Sequence, residues 1–187
     1  MSRTNVRFTG ETKNLTIAGV CLALSILLPF LTAQLQELGI AFSPMHIPIL
    51  LCGLLVGGKN AALIGFIAPL LRFSLFGMPP MPMGVAMAFE LAVYGAVAGI
   101  LYATLPRLIG DKPLARLYIS LIAAMLAGRF VWGLAMWQIL EFFTWDAFVA
   151  GAFVNALPGI LLHIMIIPPI VLASEKVLGE RVLTNER

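Results

Sequence analysis

Three ionisable side chains, Arg72, Glu90 and Arg129, fall inside long apolar runs of the sequence. If those runs cross a bilayer, each charge costs at least ~2.5–3.5 kcal/mol, so residues of this kind are candidates for function by default. One carboxylate cannot fully neutralise two guanidiniums, and the surplus positive charge calls for an anion or a very polar ligand. Tyr94 follows Glu90 by four residues and Trp132 follows Arg129 by three, so each shares a helix face with its charged neighbour. Asn155 adds a further polar group within an apolar run, while His46, Trp137, Trp145 and the methionine-proline segment with Met78, Met81 and Met83 fall near helix ends. A polar floor, aromatic walls and an adaptable methionine lid make a small-molecule site. The competing reading is structural: Glu90 pairs with Arg129 or Arg72 as glue, and the three tryptophans anchor the chain at the membrane surface.

These residues need elements to position them, and the composition says which kind. Of 187 residues, 60% are hydrophobic and 11% charged, against about 45–50% and ~25% in soluble domains. Disorder is excluded by the hydrophobicity, and two cysteines are too few for a disulfide scaffold. Residues 14–36, 38–58 and 147–174 carry no Asp, Glu, Lys or Arg, and each is long enough to hold a transmembrane helix of ~20 residues. The spacing predicts an all-α membrane protein of six transmembrane helices, at about 14–31, 46–58, 61–76, 84–105, 116–140 and 147–173, with tails at 1–13 and 174–187. No short apolar region with a cleavage site follows the basic N-terminal segment, which reads as a cytoplasmic tail and not as a signal peptide.

Charge also sets the expected orientation. With both termini inside, the cytoplasmic segments hold ten of the twelve basic residues, Arg3, Arg7, Lys13, Lys59, Arg107, Lys112, Arg116, Lys176, Arg181 and Arg187, as the positive-inside rule requires. The outer loops then hold none. At ~1.5 Å per residue, Arg72 lies about 6 Å, Glu90 about 9 Å, Asn155 about 12 Å and Arg129 about 16 Å below the outer helix ends. The four polar groups therefore meet in the outer half of the membrane. His46 and His163 are expected near opposite faces.

Other chemistry is weakly represented. Gly53-Leu-Leu-Val-Gly-Gly-Lys-Asn60 has the phosphate-loop spacing, but Asn60 stands where Ser or Thr must hold magnesium, and no strand precedes it. The chain then has no ATPase of its own. Cys21 and Cys52 show no ligand spacing, so a zinc site and a resident cofactor are not expected. Nor is there a strained serine turn, a pair of acids or a zinc-binding histidine pair for an intramembrane protease, which argues against an enzyme. Met78, Met81 and Met83 could attract soft Cu(I), which keeps a copper-type binding protein or permease as an alternative, beside a structural subunit of a membrane complex. Small residues recur four apart, as in Gly19 and Ala23, Ala61 and Gly65, Gly95 and Gly99, and Ala124 and Gly128, and let helices approach closely in lipid. No internal repeat is visible.

The chain resembles the substrate-binding S components of energy-coupling factor (ECF) vitamin transporters over nearly its whole length. The resemblance rests on the basic tail, six helices in a short chain, Met45-His-Ile-Pro-Ile-Leu-Leu-Cys-Gly-Leu-Leu-Val-Gly-Gly-Lys59, Gly65-Phe-Ile-Ala-Pro-Leu-Leu-Arg72 and Met87-Ala-Phe-Glu-Leu-Ala-Val-Tyr-Gly95. It implies a subunit of the bacterial cytoplasmic membrane that captures a vitamin or precursor from outside, in a pocket lined mainly by helices 4 to 6. It further implies a partner transmembrane coupling subunit and two ATPase subunits, with the S component toppling in the membrane to deliver its ligand; nucleic acid has no part. The family's small-residue docking signature on helix 1 matches Gly19 and Ala23, with glycine replacing the first alanine. On this footing Arg129 anchors an acidic or hydroxylated end of the ligand, and Glu90 pairs with an arginine or accepts ligand hydroxyls. Asn155 supplies a hydrogen bond, and Trp132 and Tyr94 cover the ring or aliphatic part. Pantothenate suits the surplus charge, and a pyridoxine-type vitamin B6 ring suits the aromatic lining equally well.

Overall fold

The computed structural model describes residues 11–32, 41–110 and 112–185, with 32 and 177–185 described by backbone alone. Arg3 and Arg7 of the expected tail, Gln34, Gln36 and Glu37 of the first loop, and Arg187 lie outside the described residues. Among the described residues six helices of ten residues or more are present: α1 (Glu11–Leu27), α2 (His46–Leu55), α3 (Gly58–Phe76), α4 (Met83–Thr104), α5 (Pro113–Ile139) and α6 (Leu157–Asn185). No strand occurs among the described residues.

Local sequence explains most of the helix ends. α1 tightens into a 3-10 turn at Leu28–Thr32, where Pro29 removes a backbone donor. α3 stops at Gly77, whose φ of 69° is the left-handed conformation that a glycine C-cap adopts without strain. Prolines at 79, 80 and 82 then keep the chain out of helix until Met83. The sixth span is not continuous: a short helix, Trp145–Val149, runs into a π-helical turn at Ala150–Val154 before α6 begins. α6 continues through Pro168 and Pro169 and past Glu175 to Asn185, beyond the expected end near Ala173.

Among the described residues five segments are long and apolar enough to cross a membrane, and His46–Leu55 is a shorter apolar helix. At ~1.5 Å per residue α2 is about 15 Å long, half of a ~30 Å hydrocarbon core. It survives there because seven of its ten residues are buried by protein and none is exposed, so it meets little lipid. The faces of the long helices that do look outward carry Leu15, Leu63, Phe130, Leu161 and Met165, the apolar exterior of a multi-pass membrane protein.

α4 is the centre of the bundle and packs against α2, α3 and α5. Glycine makes that approach possible: a Cβ on Gly95 would lie 2.6 Å from the Ala61 carbonyl carbon, and one on Gly65 would lie 2.5 Å from the Leu91 carbonyl oxygen. At the end of the bundle carrying Gly57 and Pro106, Arg116 ties α5 to α6 through a 2.8 Å ion pair with Glu175. Tyr102 of α4 donates to the same carboxylate at 2.6 Å and lies under the Arg116 guanidinium, 3.8 Å from ring centroid to Cζ. The opposite end holds a cavity.

Candidate ligand-binding site

A cavity of about 530 Å³ opens between the C-terminal ends of α1, α3 and α5 and the N-terminal ends of α2, α4 and the sixth span. Its polar lining is Ser43, His46, Arg72, Glu90, Arg129 and Asn155, and its apolar walls include Met45, Met87, Trp132, Met136 and Phe143. Met78, Pro79, Pro80 and Met83 close one side. The helix spacing explains the wall: Met87, Glu90 and, across the bundle, Arg129, Trp132 and Met136 repeat at three and four residues, so each set shares one helix face.

Glu90 is buried, and its Oε1 lies 3.2 Å from Arg129 Nη1 and 3.5 Å from His46 Nε2. The partner of Glu90 is therefore Arg129, with His46 on the same oxygen. Arg72 is engaged differently: Nη1 donates to the Ile26 carbonyl at 2.6 Å, and its guanidinium lies 5.0 Å from the Phe30 ring centroid and 5.7 Å from that of Phe76. No carboxylate pairs with it among the described residues. A cation held by a carbonyl dipole and two π faces is oriented but not neutralised. Arg129 Nε makes no hydrogen bond among the described residues, so donor capacity remains there.

Trp132 packs edge-on against Phe143, with centroids 5.8 Å apart. Its indole fits because Gly151 has no side chain; a Cβ there would lie 2.8 Å from the ring edge. Gly151 belongs to the π-helical turn, so the irregular backbone both receives Trp132 and brings Asn155 to the cavity.

The seven residues expected at the site are thus placed as follows. Arg129, Glu90, Trp132, Asn155, Arg72 and His46 line one cavity. Tyr94 does not; it is buried behind the floor, edge-on to the His46 ring at 5.2 Å. Met78 and Met83 line the cavity, whereas Met81 is outside the lining and exposed. Trp137 and Trp145 are exposed on the outside of the bundle. Gly19 and Ala23 sit on the exposed face of α1, with nothing within 4 Å of a Cβ added at Gly19.

One expectation is overturned. His46 and His163 do not lie near opposite faces: their rings stack, with centroids 5.9 Å apart. α2 is a half-length helix that begins at the depth of Glu90, not at the rim, and this brings His46 down to His163. Spacing also missed Met45 and Phe143, which come from loop segments, and Gly151. Met87 and Met136 were legible as face-mates of Glu90 and Trp132.

Residues 13–171 match a family model described as the ECF transporter substrate-specific component. No curated protein and no solved structure matches the chain. The match takes in every residue of the cavity lining and at least part of each of the six helices, and the chain belongs to the substrate-specific components of ECF transporters.

Proposed function

We propose that this chain captures a small water-soluble vitamin or precursor bearing a carboxylate from the outer side of the cytoplasmic membrane. It then releases the ligand inward when driven by a coupling transmembrane subunit and two ATPase subunits. Membership of the family supports transport of a small molecule in general. The distribution of basic residues supports cytoplasmic termini and therefore a cavity that opens outward. In this reading the chain is a binding subunit and catalyses no reaction.

One observation carries the choice of ligand. Glu90 Oε1 already faces Arg129 and His46, while Arg72 lines the cavity and pairs with no carboxylate among the described residues. Bringing an anion to Arg72 gains a charge-assisted hydrogen bond in a medium of low dielectric, where such bonds are strongest. A neutral ring leaves the guanidinium unbalanced. Pantothenate therefore ranks ahead of pyridoxine, which presents hydroxyls to the same floor. In the bound state Arg72 takes the carboxylate, the Arg129–Glu90–His46 group and Asn155 bind hydroxyl or amide groups, and Trp132 with the methionines covers the aliphatic part. Tyr94 supports the floor from behind.

Thermal shift of the detergent-solubilised protein tests this with pantothenate, nicotinate, pyridoxine, thiamine and Cu(I). A ligand at 100 times its Kd adds ~2.7 kcal/mol of stability, so pantothenate or nicotinate should raise Tm clearly and thiamine should not. A larger response to pyridoxine would overturn the charge argument and leave the vitamin reading standing. A response to Cu(I) alone, lost when Met78 and Met83 are replaced by Leu, would replace it with the soft-metal alternative. No response to any of them would favour a structural subunit.

A further inference from the structure

His163 is absent from the cavity lining and fully buried, yet it sits against the polar floor. Its ring lies face to face with that of His46, the planes 20° apart. Its Nε2 is 3.3 Å from the Ser43 carbonyl oxygen. A carbonyl only accepts, so this hydrogen bond puts the proton on Nε2 and leaves Nδ1 bare; Nδ1 makes no hydrogen bond among the described residues. The same Ser43 carbonyl accepts the backbone N–H of His46 at 3.0 Å. His163 therefore reaches His46 by two routes, through its ring face and through the carbonyl that starts its helix.

The turn being held is one that needs holding. Ser43 has a φ of 45°, a left-handed conformation uncommon for a residue with a side chain. One helical turn before His163, Gly159 lies so close to the incoming chain that a Cβ would be 2.7 Å from the Ala41 carbonyl oxygen. Gly159 and His163 share one face of α6 and together seat residues 41–46 against it.

We propose that His163 is a positioning residue for ligand binding: it fixes the ring orientation of His46 and holds the Ser43–Met45 turn as a wall of the cavity. This rests on the cavity being the ligand site. His46 Nε2 and Arg129 Nη1 lie 3.5 and 3.2 Å from Glu90 Oε1, so a rotated His46 ring would move one of the two groups facing that oxygen and let the floor rearrange. With the ring clamped, the ligand meets a floor that is already ordered and loses less affinity to ordering it.

The chain has two histidines, so 15N-imidazole spectra of the full chain, purified through a histidine-free tag, contain one set of signals for each. His46→Asn assigns them. Wild type should show His163 protonated on Nε2 alone. His163→Phe keeps a stacking ring and removes the donor; the His46 signals should move, and affinity for pantothenate should fall about tenfold. His163→Gln, which keeps a donor and loses the ring, should shift His46 as well. A wild-type His163 protonated on Nδ1 would overturn the proposal without any variant, so it stays testable even if neither variant folds. Unchanged His46 signals in a folded His163→Phe protein would overturn it too, whether or not affinity falls. If pantothenate, nicotinate and pyridoxine all fail to bind wild type, the ligand reading fails, and the imidazole spectra still decide the placement of His163.

Discussion

Glu90 and Arg72 are both buried charges, but they bear on different quantities. Removing the Glu90 charge leaves Arg129 buried without a counter-ion, and breaking a buried pair from one side costs about 3–5 kcal/mol. Glu90→Gln should therefore unfold at markedly lower temperature than wild type in the same detergent, and a wild-type Tm would contradict the pairing. Arg72 is held by a carbonyl and two rings and pairs with no carboxylate among the described residues. Arg72→Gln should cost less stability than Glu90→Gln while weakening pantothenate by about 1.5–3 kcal/mol, the worth of a hydrogen bond to a charged group, as read by titration calorimetry. An unchanged affinity would remove Arg72 from the site. These two arginines and the glutamate were legible in the sequence because charge in an apolar run is conspicuous. The pairing of Glu90 with Arg129 in place of Arg72 was not, since it depends on how α4 rotates between α3 and α5. His163 was hidden for a related reason: only the depth at which α2 begins brings it to His46.

At the level of elements, the same small residue means different things on different helices. Gly95 faces the Ala61 backbone and Gly128 faces the Tyr94 ring, so neither has room for a methyl group. Gly95→Ala and Gly128→Ala should each destabilise the bundle by about 1–3 kcal/mol through overpacking, read as a lowered Tm. Gly19 is exposed with open space around it, and Gly19→Leu should leave Tm and ligand affinity unchanged. If the Gly19–Ala23 face docks on the coupling subunit, that variant should fail to copurify with it; normal copurification would place docking elsewhere. Helix positions were largely readable, because apolar length, Gly77 and the proline cluster at 79–82 mark their ends. The π-helical turn at Ala150–Val154 was not, for a run of small and apolar residues carries no sign of the extra residue, and the tertiary contact of Gly151 with Trp132 reveals its use.

Across the whole molecule, one end is tied together by Arg116, Tyr102 and Glu175 and the other holds the cavity. The segment 53–60 has the phosphate-loop spacing but lacks the hydroxyl that a magnesium-nucleotide site needs. On the proposed reading the chain holds a solute and relies on the coupling and ATPase subunits to drive it inward. Uptake of labelled pantothenate into proteoliposomes tests this most directly, with the chain alone and with its coupling subunit and two ATPase subunits supplied with ATP. The account predicts binding in stoichiometric amount with the chain alone, and accumulation beyond that amount only when the full module and ATP are present. Accumulation by the chain alone, or no pantothenate retained under either condition, would contradict it.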